Sequence, residues 1–437
     1  MTRYTLNVFD ADSRVGQLDY ESLEEQFSFD YDAAWRDAKD SYSISPHILL
    51  NGPSAPSSTV RRFVENLLPE GRALDIVSTT YQVSKNNIYG LIRELGQETA
   101  GALSFRSGDA SGRPATLRRE VTRAELAQRI AERAQVPFAV WDGRVRMSIA
   151  GYQDKLAVYT ESDRLYLVEG ELASTHILKP EPLDERLHKL VANEHYCMKL
   201  AAHVGVSTAE VSILRLPTPV LVVKRFDRSA ERDSVRRLHI VDACQALNFP
   251  VAYKYERNFG SGRDVRDIRE GVSFSRTFSL AEYTVEKAVT RQSLVRWALF
   301  QYLIGNADAH GKNVSFFCGP SGLSLTPAYD LVSVVQYPHV AHELAMAFGD
   351  EFSIEAVRPY DFAEFAQGTK TPRLLLAREM KRLAKIAGSA AVNLAESDTY
   401  SDDERAVVRK IAAFVEGQAK QLNAMAEPML GVDEHSL

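Results

Sequence analysis

The chain has 437 residues, 45% hydrophobic and 25% charged, which supplies two or three packed domains and excludes a disordered chain. No apolar run approaches the roughly 20 residues of a membrane span, and the start, Met-Thr-Arg-Tyr-Thr-Leu, lacks the apolar block of a secretory signal. Three scattered cysteines (Cys197, Cys244, Cys318) argue against a disulfide framework or cysteine zinc site, so a reducing cytoplasm is expected; the net charge of −6 leaves nucleic-acid contact to a local basic patch.

Residues 1–110 read as an α+β subdomain. Thr5–Phe9 and Phe27–Tyr31 alternate apolar and polar side chains, the pattern of half-buried strands. Val60–Leu68 reads as a helix stopped by Pro69 and Gly71, and Val83–Leu95 as a second helix ending at Gly96. Gly101–Phe105 is a short strand and Ser107–Pro114 a polar linker. Thr122 and Glu125 have capping-box spacing and open an amphipathic helix through Ala134.

Residues 111–228 form the second region. From Arg144 an antiparallel sheet is expected, with strands at Arg144–Ile149, Leu156–Thr160, Arg164–Glu169 and Thr175–Leu178. The turn Ala150, Gly151, Tyr152, Gln153, Asp154, Lys155 can present backbone N–H groups to phosphate, although taken alone an ordinary hairpin is the better reading. It matches neither a Walker A loop nor G-x-G-x-x-G. Lys179 ends the last strand, and Glu194, on the helix Leu187–Val204, is its candidate partner in a phosphate-holding ion pair. An edge-strand lysine and a solvated glutamate are the plainer reading. The strand Val220–Asp227 would set Lys224, Arg225 and Phe226 beside a nucleotide base, recognised through backbone groups.

Residues 229–437 are expected to be helical. Asn258–Arg276 lacks periodicity and reads as a mobile loop, after which Ser279 and Glu282 cap a helix. Ser293–Ile304 is apolar all round, the mark of a buried central helix. Asp308 and Asn313 then stand in the spacing D-x-x-x-x-N around His310, Gly311 and Lys312, with Asp330 after a short apolar passage. Protein kinases use an aspartate at the accepting hydroxyl, an asparagine for metal and a second, metal-binding aspartate. Oxygen ligands of this kind suit Mg²⁺. Further helices follow at Ile354–Gln367, Pro372–Ala387 and Asp402–Met425. Arg378, Lys381, Arg382 and Lys385 share one helical face, with Lys370 and Arg373 just before; such a stripe can track a phosphate backbone or simply be solvated. Neither G-x-S-x-G nor H-E-x-x-H occurs, which leaves hydrolase readings without support.

Together these pieces resemble the HipA-type serine/threonine kinase toxins of bacterial toxin–antitoxin modules. The matching motifs are Ser148-Ile-Ala-Gly-x-Gln-x-Lys155, Thr175-His-Ile-x-Lys179, Asn193-Glu-x-Tyr-Cys197, Arg225-Phe-Asp-Arg228, Ile304-Gly-Asn-x-Asp-x-His-x-Lys-Asn313 and Leu325-Thr-Pro-x-Tyr-Asp330. They occur in the family's order, and Phe63-x-x-Asn-Leu-Leu-Pro69 with Gly96-x-x-x-x-Gly-Ala102 resembles its N-terminal domain.

The resemblance implies an α+β, two-lobed, protein-kinase-like fold: a β-rich N-terminal lobe with an extra subdomain, and an all-helical C-terminal lobe. It implies γ-phosphate transfer from ATP, with Mg²⁺, to a protein serine or threonine. Asp308 would take the hydroxyl proton, and Asn313 and Asp330 would hold the metal. Ala150–Lys155, Lys179, the strand Lys224–Phe226, His310–Asn313, Tyr329 and Asp330 would surround the nucleotide. Ser148 matches the family's autophosphorylated serine, whose modification switches the enzyme off. The implied substrate is a translation component, an aminoacyl-tRNA synthetase such as the glutamyl enzyme. The implied partners are a helix-turn-helix antitoxin of the HipB type and, through it, operator DNA, with Lys370 where members contact DNA. A catalytically silent DNA-binding corepressor and a small-molecule kinase remain as alternatives from the residues alone.

Overall fold

The computed structural model describes residues 2–108, 115–146, 153–231 and 234–436. The chain divides into two compact units, one of residues 1–183, 214–251 and 315–323, the other of residues 184–213, 252–314 and 324–437.

The first unit is rich in antiparallel sheet. In its N-terminal part Arg3–Asp10 lies between Ser13–Glu21 and Leu103–Arg106, with Gln26–Tyr31 outside Ser13–Glu21. Leu6 and Leu18 face each other across the register and are buried. Ser13–Glu21 is a strand that sequence alternation does not predict. Asp19 interrupts its buried stretch, satisfied by Thr5 Oγ1, Gln17 Nε2 and the Arg3 guanidinium. A helix at Gly71–Tyr81 is likewise unexpected: Pro69, read as a stop, stands just before this new helix, and Gly71 is its first residue. The following helix begins at Ile88, not Val83, because the Asn87 side chain caps it by accepting from Gly90 N.

A second sheet in this unit runs in the order Val220–Lys224, His176–Pro180, Leu156–Glu161, Arg164–Glu169, Leu117–Val121. Leu156, Val158, Leu178 and Val220 are fully buried on one face, against Leu126 and Ile130 of the helix Arg123–Ala131 and against Phe138 and Trp141. Each such side chain contributes roughly 1.5–3 kcal/mol. Thr122 caps that helix through Glu125 N at 3.1 Å, and the helix stops at Ala131, short of the expected Ala134. Of the expected strand Arg144–Ile149, Arg144–Val145 pairs with Val140–Trp141. Its remaining positions beyond Arg146 lie outside the described residues.

The second unit is predominantly helical. Leu190–His203, Lys287–Ile304, Pro359–Gly368, Arg373–Ala395 and Asp402–Leu430 are its longer helices, joined by one hairpin of Glu343–Phe348 with Glu351–Ser353. Every residue from Trp297 to Ile304 is buried, so the central helix does lack a polar face over that stretch. Ser279 does not cap it. Ser279 ends the short helix Phe274–Ser279, which is capped by Ser273, and the central helix starts later, at Lys287. The segment Asn258–Arg276 is fastened and not loose: Arg269 binds Glu256, and Arg276 donates to the carbonyls of Arg269 and Gly271. Arginine-rich composition reads as solvated loop, whereas here the guanidinium groups satisfy main-chain and buried acceptors. Among the described residues no helix is long and apolar enough to cross a membrane.

Candidate phosphotransfer site

The central helix ends at Gly305, whose φ of 66° turns the chain. A Cβ there would stand 2.5 Å from Val335 Cγ2 and 2.8 Å from Phe414, so this turn requires glycine. The Gly305 carbonyl accepts from Val334 and Val335 N, which ties the helix end to the segment after Asp330. Asn306, buried at the next position, donates to Gln301 Oε1 at 2.8 Å and accepts from Asp308 N at 3.0 Å. The loop is thereby set so that Asp308 projects outward with its side chain 55% exposed.

Asn313 closes the loop. Its Nδ2 donates to the main-chain carbonyl of Asp308 at 2.9 Å, and its backbone N–H donates to His310 at 2.9 Å. With the amide nitrogen so engaged, Oδ1 accepts no hydrogen bond from the described residues. Tyr329 Oη donates to the Lys312 carbonyl at 2.7 Å, drawing the segment that carries Asp330 against this loop. Asp330 itself has φ of 58°, in the left-handed region that few residues other than glycine adopt.

That conformation is held from both sides. Ala328 exchanges backbone bonds with Ser207 and Ala209 at 2.7 and 2.9 Å. Asn193, on the helix Leu190–His203 and fully buried, donates to Ser333 O at 3.0 Å and to Tyr337 Oη at 3.1 Å, and accepts from Ser333 N at 2.8 Å. Asn193 belongs to a motif noted in the sequence, but the spacing there gives no hint of this anchoring role.

Asp308 Oδ1 accepts from Tyr255 Oη at 2.5 Å, and His310 packs edge-on against the Tyr255 ring at 5.0 Å. Sequence reading misses Tyr255. It lies 53 positions before its partner, and no motif carries it.

Glu194, expected as a solvated glutamate on the plainer reading, is buried on the helix Leu190–His203 in the same unit as this loop. The expected phosphate and adenine residues Gln153, Asp154, Lys155, Lys179 and Lys224–Phe226 lie in the other unit. Leu178 faces the buried core, so by the two-residue period of a strand Lys179 points to the opposite face; it and Lys155, just before the strand Leu156–Glu161, are both buried. Gln153 donates to the Pro180 carbonyl at 3.2 Å, and Asp154 stands 3.9 Å from Arg133. Lys224 has the parity of Val220 and Val222, so its side chain and that of Lys179 lie on opposite faces of the sheet. The Arg225 side chain is a buried structural group. It bonds both carboxylate oxygens of Asp227 (3.0 and 2.8 Å) and Ser174 Oγ at 2.9 Å. Burial, with the neighbouring Arg225 cation, presses the Arg228 guanidinium down to about 9. Phe226 meets Phe317 edge-to-face at 6.0 Å. Ser148, Ala150, Gly151 and Tyr152 lie outside the described residues.

Of the basic stripe, Arg378, Lys381 and Lys385 are exposed, as is Lys370 with φ of 54°. Arg382 turns inward: it donates to Glu379 and to the Val204 carbonyl. Lys381 pairs with Glu427, and Arg373 donates to the Val432 carbonyl at 2.6 Å.

Among the described residues no three His, Cys, Asp or Glu side chains form a preformed metal cage. Mg²⁺ does not need one, since it is usually held by one or two protein oxygens together with waters and phosphates. The uncommitted Asn313 Oδ1 and the Asp330 carboxylate are donors of that kind.

Residues 6–106 match the family model described as the HipA N-terminal domain, and residues 147–394 match the HipA-like C-terminal domain. The chain is 41% identical to the serine/threonine-protein kinase toxin HipA of Shewanella oneidensis, over 98% of this chain and 97% of that one. It is 30% identical to the putative kinase Y4mE of Sinorhizobium fredii, over 96% and 99%. A solved S. oneidensis complex of HipA, HipB and operator DNA contains a chain of similar fold, with TM-score 0.89 and 39% identity, covering 98% of this chain and 100% of that one.

Proposed function

The chain belongs to the HipA family and is an ATP-dependent serine/threonine-protein kinase of toxin type with the family's two-lobed, kinase-like fold, and from that premise we propose which residues carry the transfer. Asp308 accepts the proton of the acceptor hydroxyl through Oδ2, which takes no hydrogen bond from the described residues. Asn313 Oδ1 and Asp330 hold Mg²⁺, which when bound neutralises charge developing on the phosphoryl oxygens. Lys179 and Lys155, with the turn from Ala150, engage the phosphates; Glu194 is the candidate partner of Lys179. The backbone of Lys224–Phe226 borders the adenine, and His310, Gly311, Lys312 and Tyr329 are further nucleotide-contact residues. The observation that carries this reading is the Asn313 amide, whose nitrogen braces the Asp308 carbonyl while its oxygen stays available.

The substrate we propose is an aminoacyl-tRNA synthetase such as the glutamyl enzyme, modified on serine or threonine in the cytoplasm. Phosphorylation of Ser148 switches the kinase off. The S. oneidensis relative was solved with HipB and operator DNA. By that likeness the partner here is a helix-turn-helix antitoxin that carries the complex to its operator, with exposed Lys370, Arg378, Lys381 and Lys385 available to phosphates. Arg382 is bound inward and adds little.

Phosphoproteomics of lysate treated with ATP, Mg²⁺ and either wild type or Asp308→Asn tests this. The expected result is a synthetase phosphosite and a Ser148 phosphosite present only with wild type. A lysate in which only a small molecule is labelled would reject the protein-kinase substrate assignment.

A further inference from the structure

Asp308 is exposed and stands on a loop, so its carboxylate could rotate through several orientations. What fixes it comes from a distant segment. The main chain of residues 253–256 is stitched on every side: Gly311 N donates to Lys254 O at 2.9 Å, Glu256 N to Ala345 O at 3.0 Å, Gly271 N to Glu256 O at 3.1 Å and Val272 N to Tyr253 O at 2.8 Å. The chains touch so closely that a Cβ on Gly271 would lie 1.8 Å from the Tyr255 carbonyl oxygen. The buried Glu256 side chain pins the same strap by accepting from Ala347 N and Arg269 Nε, each at 2.8 Å. Tyr255 rises from this rigid strap, braces its ring on His310 and donates to Asp308 Oδ1 at 2.5 Å.

We propose that Tyr255 is the positioning residue of the phosphotransfer: by holding Oδ1 it aims Oδ2 at the acceptor hydroxyl. The acceptor oxygen then forms its bond to the γ-phosphorus as the bond to the leaving ADP oxygen breaks, and the hydroxyl proton passes to Oδ2. Tyr255 exchanges no atom and acts only through Asp308. An aspartate aimed by a fixed donor needs no reorientation at the moment of transfer, the kind of preorganisation from which enzymes draw much of their rate. The inference rests on Asp308 being the proton acceptor.

The test compares wild type, Tyr255→Phe and Asp308→Asn in single-turnover and steady-state transfer to protein. Tyr255→Phe keeps the ring over His310 and removes the donor. The expected result is kcat lowered roughly 10- to 100-fold with KM for ATP and the thermal midpoint unchanged. In the Asp308→Asn background the same change should then cost no more than about twofold, since the group it aims is gone. Should the Phe variant melt early, 4-aminophenylalanine and 4-methylphenylalanine at position 255 replace it, equal in bulk but with and without a donor; the amino form alone should restore activity. Unchanged or raised kcat in Tyr255→Phe, with Asp308→Asn inactive, overturns the positioning role while leaving Asp308 as the base. Full activity in Asp308→Asn overturns the base assignment and this inference with it.

Discussion

Asn313 and Asp308 form one hydrogen-bonded unit: the Asn313 amide donates to the Asp308 carbonyl at 2.9 Å, so the proposed metal residue and the proposed base cannot shift independently. Asn313→Ala removes both the brace and the oxygen. We expect a fall in kcat of about 100-fold or more and a higher Mg²⁺ concentration for half-maximal rate, measured by titrating Mg²⁺ at saturating ATP. A rate loss with unchanged Mg²⁺ dependence would leave Asn313 as a brace alone.

Asn193 holds the segment after Asp330 from a different helix. Asn193→Ala leaves the Ser333 N–H and carbonyl without these partners in a buried site, which should cost about 2 kcal/mol of stability in denaturant unfolding. Activity should fall further than the folded fraction does, because the left-handed Asp330 is held partly by this anchor. Activity that tracks the folded fraction alone would disconnect Asn193 from the site.

Gly305→Ala places a Cβ against Val335 and Phe414 at a residue with positive φ. The strain and the clash together should destabilise the protein by about 2 kcal/mol or more, seen as a lowered thermal midpoint.

Glu379 joins two long helices by accepting from Gln292 and Arg296 on one and Arg382 on its own. Burial alone would raise its carboxyl, but the hydrogen bonds from Arg296, Arg382 and Gln292 outweigh burial and hold it at about 2, against an ordinary 4.5. As pH falls the unfolded chain takes up this proton first. The stabilisation is therefore complete above about 4.5 and is lost as pH drops toward about 2. Glu379→Gln should cost roughly 3 kcal/mol near neutral pH, a deficit that shrinks through that acid window. A deficit independent of pH would assign the loss to packing.

The proposed catalytic loop is legible in the sequence because its parts lie close together: Asp308 and Asn313 follow one apolar helix and precede the strands Ser315–Gly319 and Gly322–Leu325, and Asp330 comes just after them. The residues that fix this loop are not. Tyr255 and Asn193 reach their partners across 53 and 140 positions, and local pattern holds no record of such contacts. The strand Ser13–Glu21 was hidden by a buried, satisfied aspartate, and the helix Gly71–Tyr81 by stop residues that stand at a second start. Arg382 looked like part of a basic face until its bonds to Glu379 and Val204 placed it among the helices. Charge periodicity marks a helix surface; it does not separate solvated cations from those that clasp a neighbour.

The proposed phosphotransfer is Mg²⁺-dependent and runs from Asp308, Asn313 and Asp330. Transfer of labelled γ-phosphate from ATP by the purified protein, with and without Mg²⁺, tests it most directly when Asp308→Asn and Asp330→Asn are run beside the wild type. Protein-bound label is expected with wild type only when Mg²⁺ is present, with a loss of roughly 100-fold or more in each variant. Label retained in both variants would contradict it.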